Sequence, residues 1–142
     1  MAQTPKEEAE MLLNYVLPFA KQQLEKRKEF FPFGAAMLFD GKIHMVVTHD
    51  EQPNSQKKID DLERIFIQKA KNRECKATAL AFCSLFTDPK TKKKFDSVSV
   101  NLDHKDNYSV TVIYPYSIDQ KNHVQFFAPT AMQGEKKIFK RT

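Results

Sequence analysis

SVSVNLDHKDNYSVTVIYPYS, residues 97–117, decides the architecture of this 142-residue chain. In its first arm Val98, Val100 and Leu102 alternate with Ser97, Ser99, Asn101 and Asp103. In its second, Tyr108, Val110, Val112, Tyr114 and Tyr116 alternate with Ser109, Thr111, Ile113 and Pro115. A period of two puts successive side chains on opposite faces of a strand, so the stretch reads as a β-hairpin. A two-residue turn at Asp106-Asn107 would set Leu102 against Thr111 and mix the two faces. A three-residue loop, Lys105-Asp106-Asn107, sets Leu102 opposite Val110, Val100 opposite Val112 and Val98 opposite Tyr114. Asn107 then takes the left-handed position that asparagine tolerates better than most residues. One face is apolar and the other is mostly serine, threonine and asparagine, the pattern of an antiparallel sheet covered on one side.

The rest of the chain suits such a sheet. Twelve Phe and four Tyr against three Gly describe a packed chain with a core, and the length fits one domain, 1–142. The net charge of +5 is scattered and names no partner. Cys75 and Cys83 have no second pair beside them, so neither a disulfide framework nor a zinc site is expected, and a reduced compartment is the simplest setting. The first ten residues lack the basic start and apolar stretch of a secretory signal. The longest greasy run, residues 11–20, is interrupted by Asn14 and Pro18 and is too short for a bilayer. The expectation is a cytoplasmic protein with no membrane association.

In chain order, Thr4, Pro5 and Glu7 form a capping box that opens a helix over 5–28. Met11, Leu12, Tyr15, Val16 and Phe19 mark its buried stripe, and Pro18 is expected to bend or split it. Strands follow at 33–39 and 42–49, joined by a two-residue Asp40-Gly41 turn. A second helix, begun in the loop at 50–55, carries Ile59, Leu62, Ile65, Phe66, Lys69 and Ala70 on one face and ends near Asn72. Residues 77–86 read as a central strand buried on both faces. The hairpin comes next, then an edge strand over 124–128 and a C-terminal tail over 129–142, docked by Ile138 and Phe139. The order α-β-β-α-β-β-β(-β) predicts an α+β fold, an antiparallel sheet with both helices packed on one face.

Residues Phe31-Pro32-Phe33-Gly34-Ala35-Ala36, the Asp40-Gly41 turn, the Ser55-Gln56 helix start and Leu102-Asp103-His104-Lys105-Asp106-Asn107-Tyr108 resemble a family of small uncharacterised bacterial cytoplasmic proteins. That resemblance runs over nearly the whole chain and implies no catalytic residues, since the family has no assigned activity. The element order is similar to that of roadblock and profilin-like adaptor domains, a likeness of topology alone.

No catalytic constellation stands out. His44, His49, His104 and His123 lack metal-ligand spacing, and three glycines exclude a phosphate-binding loop. No metal and no cofactor are expected. Cys83 is read as a core thiol and Cys75 as the more exposed and activated one. The basic segments 26–28, 57–58, 90–94 and 136–141 are read as solvated loops and helix ends, with nucleic-acid binding through them a lesser alternative. The polar sheet face, carrying Ser99, Asn101, Thr111 and Ile113, is the leading candidate for a docking surface, for a protein partner or a second copy as a homodimer. A small-molecule or enzymatic pocket near His49, Asp50 and Glu51 is the alternative. Binding is therefore expected ahead of catalysis, in an adaptor, regulatory or immunity-type role.

Overall fold

The computed structural model describes residues 3–48 and 54–139. Its elements are α1 (Pro5–Arg27), β1 (Phe33–Met37), β2 (Ile43–Val46), α2 (Ser55–Lys71), β3 (Ala77–Thr87), β4 (Lys94–His104), β5 (Tyr108–Ile118), β6 (Val124–Phe126) and β7 (Thr130–Gln133). The strands form one antiparallel sheet in the order β2-β1-β3-β4-β5-β6, with β7 also paired to β5. The α+β class and the element order are as expected. So is the register of the long hairpin, where Leu102 faces Val110, Val100 faces Val112 and Val98 faces Tyr114, with Asn107 at φ 69°.

The helices lie on opposite faces, not on one. On the first face α1 places Ala9, Leu12, Val16, Ala20 and Leu24 against Ala35, Met37, Ala79, Ala81, Val98, Val100, Leu102 and Val112. On the second, α2 sets Leu62 and Phe66 against Ala36 and Leu80. The reason lies in β3, whose first half, Ala77 to Ala81, is buried throughout and so needs cover on both sides. β2 and β3 both run antiparallel to β1, so α2 is a crossover between two parallel strands and spans β1 on the face away from α1. Gly34 makes room for it: a Cβ there would stand 2.5 Å from Cζ of Phe66 and 2.6 Å from the Ala79 carbonyl oxygen.

Three local expectations are corrected. The buried stripe of α1 is rotated toward Ala9, Leu13, Ala20 and Leu24, leaving Met11 and Tyr15 exposed, because small residues let the helix approach the alanine-lined strands closely. The helix is not split at Pro18, which sits on the exposed side with Asn14, so the carbonyl that loses its partner meets water. The first hairpin pairs Met37 with Ile43, leaving Phe39, Asp40 and Gly41 as a three-residue loop closed by Gly41 at φ 92°.

The segment after residue 129 is more than a tail. β7 pairs with β5, Gly134 and Lys136 donate their backbone N–H groups to Ser109, and Ile138 is buried beneath α2. A Cβ at Gly134 would collide with the Ser109 hydroxyl and stand 2.8 Å from the Ser109 carbonyl carbon. Gly134→Ala is therefore expected to cost about 1–3 kcal/mol by overpacking against backbone that has little room to yield. Amide exchange should rise first at β7 and residues 134–138, while β3 and β4 keep their protection. Uniform exchange across the sheet would show that this strap is not a separate unit.

Candidate functional site

The hairpin register fixes the second face as rows of side chains. Leu80, Asn101, Thr111 and Met132 form one row; Phe82, Ser99, Ile113 and Thr130 the next; Ser84, Ser97 and Pro115 a third; Phe86 and Phe95 the last. Phe127 joins this last row through an edge-on contact with Phe95, ring centroids 5.8 Å apart. The main contacts of α2 are with β1 and β3, and the C-terminal strap covers Asp103 and Ser109. The opposite end of the face is left open, with Phe82, Phe86, Phe95 and Ile113 half-buried and Phe127 and Met132 exposed at 39% and 54%.

The four predicted docking residues divide across this surface. Ser99 is buried, and Ser84 stands 2.6 Å from its hydroxyl and 2.7 Å from that of Ser97, a ladder that satisfies the polar groups internally. The Thr111 hydroxyl donates to the Asn101 side-chain Oδ1 at 2.8 Å, so these two groups are paired across the strands. Ile113 lies at the centre of the open rows. Alternation correctly marked the face but not its surroundings. Phe82, Phe86, Phe95, Phe127 and Met132 belong to it and were missed, because they come from segments whose register with the hairpin is a tertiary fact. The alternative residues His49, Asp50 and Glu51 lie outside the described residues.

The cysteines exchange their expected roles. Cys75 is buried under α2, and burial pushes its thiol up to about 11, with Lys69 opposing and Glu74 adding to the rise. Cys83 is the exposed one, since β3 runs past the helices beyond Ala81 and alternate residues emerge. Its thiol is also raised, first by the protein around the sulfur, against a weak hydrogen bond to the Phe30 carbonyl at 3.7 Å. Neither is an activated nucleophile.

His104 is not an ordinary turn residue. It is buried, and its Nε2 lies 2.9 Å from Oε1 of Glu8, while Lys76 pairs with the other Glu8 oxygen. The backbone N–H of Asp106 donates to His104 Nδ1 at 3.0 Å. The ring proton is thereby fixed on Nε2, pointing at Glu8. Burial pushes the Glu8 carboxyl up, but hydrogen bonds from Lys76 and His104 outweigh it and hold the group below its ordinary value. Through Glu8 the triad ties α1 to Lys76 and to His104 at the end of β4.

At the other end of the second face, Asp103 accepts a hydrogen bond from Ser109 at 2.8 Å. Its carboxyl is raised chiefly by burial, partly offset by that bond. Lys137 bridges Glu63 and Glu135 at 3.6 and 2.9 Å, so part of the expected basic tail is neutralised in place. Lys58, read from sequence as solvated, is buried, its ammonium 5.2 Å over the Phe31 ring and 3.3 Å from the Thr48 hydroxyl. Among the described residues no group of three or more His, Cys, Asp and Glu side chains could hold a metal ion, and no helix is long and apolar enough to cross a membrane. Comparison with protein-family models, with curated proteins and with solved structures found no match.

Proposed function

We propose that this chain is a cytoplasmic binding module that docks another polypeptide on the open end of its second sheet face. The observation that carries the reading is the set of apolar side chains at the open end of this face, Ile113, Phe95, Phe127 and Met132, which alternate with the serine ladder and lie beyond the main contacts of α2. A solvated sheet face is ordinarily polar, and large apolar side chains gathered at its open end favour an interaction site. The serine ladder beneath it is satisfied internally, so covering this surface strands no hydroxyl. Two free cysteines suit a reduced compartment.

The test compares tagged parent with Ile113→Asp and Met132→Asp in nuclease-treated lysate of the host. Both variants should fold like the parent by circular dichroism, because both positions reach solvent. The parent is expected to retain one protein near stoichiometry, and a buried, unpaired carboxylate should weaken that complex by about tenfold or more. Equal retention by the variants would place the partner elsewhere. Nucleic acid in eluates prepared without nuclease, bound in a strongly salt-dependent way, would favour the lysine-rich segments instead.

A further inference from the structure

A cleft of about 660 Å³ lies away from the sheet face, where the end of α1, the connection 29–33, the end of β2 and the first turns of α2 meet. That volume falls within the range of small-molecule sites. Phe19, Phe30, Phe31 and Phe33 supply an aromatic wall. Phe33 meets Phe19 and Phe30 edge-on, with centroids 4.8 and 5.6 Å apart, which fixes the rings against one another. Phe31 is 53% exposed toward the opening, with the Lys58 ammonium 5.2 Å from its ring centroid.

The charges on the wall are Arg27 and Lys58 against Glu29. Lys58 is held by Phe31 and Thr48. Arg27, exposed in the last turn of α1, is thus the cation placed to meet a ligand's charge. We propose that the cleft binds a small organic anion with a flat apolar body, of the aromatic carboxylate or sulfonate class. Its rings lie against the phenylalanine wall and its anion is turned to Arg27. A planar acid matches both features: ring stacking uses the apolar wall, and a guanidinium offers paired donors to a carboxylate or sulfonate. The exposed thiol of Cys83 lines the same cleft and provides a reporter, since the buried Cys75 thiol does not compete for alkylation.

The experiment titrates the full chain with anilinonaphthalene sulfonate, followed by fluorescence, and measures iodoacetamide alkylation of Cys83 with and without saturating probe. Expected are one saturable site, slowed alkylation, and affinity about tenfold weaker in Arg27→Glu, the loss of a charged hydrogen bond. Phe31→Ala, at an exposed position, should weaken binding as well, whereas Ile113→Asp should leave it unchanged. Equal affinity in Arg27→Glu and the parent, or alkylation of Cys83 unaffected by the probe, overturns the proposal. Binding lost in Ile113→Asp but kept in Arg27→Glu also overturns it and moves the probe to the sheet face.

Discussion

Glu8→Ala is expected to destabilise the domain by about 3–5 kcal/mol, the cost of removing one partner from a buried ion pair. The side chain of Glu8 is 10% exposed and those of Lys76 and His104 are 17% and 1% exposed, so water cannot replace what the carboxylate supplied. For a chain of this size such a loss corresponds to a fall in Tm of roughly 10–20 °C. Most of the cost comes from the ammonium and imidazole N–H left behind. Glu8→Ala combined with Lys76→Met should therefore recover part of the loss, because no unpaired ammonium then remains. If the double variant is less stable by the sum of the two single effects, the residues are not coupled and the triad is not a lock.

The same carboxylate sets a pH dependence. The folded-state value for Glu8 lies below the ordinary 4.5, so the unfolded chain takes up its proton first as pH falls. Its contribution is fully present above that value and is lost as pH drops through the lower, folded one. Thermal melts of the parent and Glu8→Ala should differ most near neutrality and converge in acid. A gap that widens on acidification would contradict the ion-paired reading.

Phe66→Ala is the second large effect, again about 3–5 kcal/mol, from lost transfer energy and the cavity left behind. Phe66 is fully buried, and its ring fills the space that Gly34 leaves open above β1, with Leu62, Leu80 and Ile138 around it. The cavity should loosen the C-terminal strap, whose one buried apolar anchor among the described residues is Ile138. Chemical denaturation gives the total cost, and amide exchange at residues 134–138 reports the strap. Phe66→Leu should cost less, since it refills part of the volume. Exchange at the strap unchanged in Phe66→Ala would mean that the Ser109 bonds and the β7–β5 pairing hold it without Ile138.

Local chemistry determined a good deal of this molecule. The period-two pattern of residues 97–117 and the left-handed tolerance of Asn107 set strand pairing, face and loop length, because those depend on neighbours a few residues apart. The Thr4–Glu7 capping box and the Asn72 helix end were legible for the same reason. The polar face, too, could be read from alternation. What covers that face could not: the path of α2 across β1 and the docking of residues 130–138 depend on crossover geometry and on Gly34 and Gly134 permitting close approach. The aromatic rows beside Ile113 are assembled from β3, β4 and the strands paired to β5, whose relative register only the sheet supplies. In the sequence Glu8 is one more acidic residue in the first turn of a helix, and His104 the residue before a hairpin loop. They meet 96 positions apart in sequence. No local period carries a contact of that separation, which arises only when the burial of α1 forces the charges together and leaves them to satisfy one another.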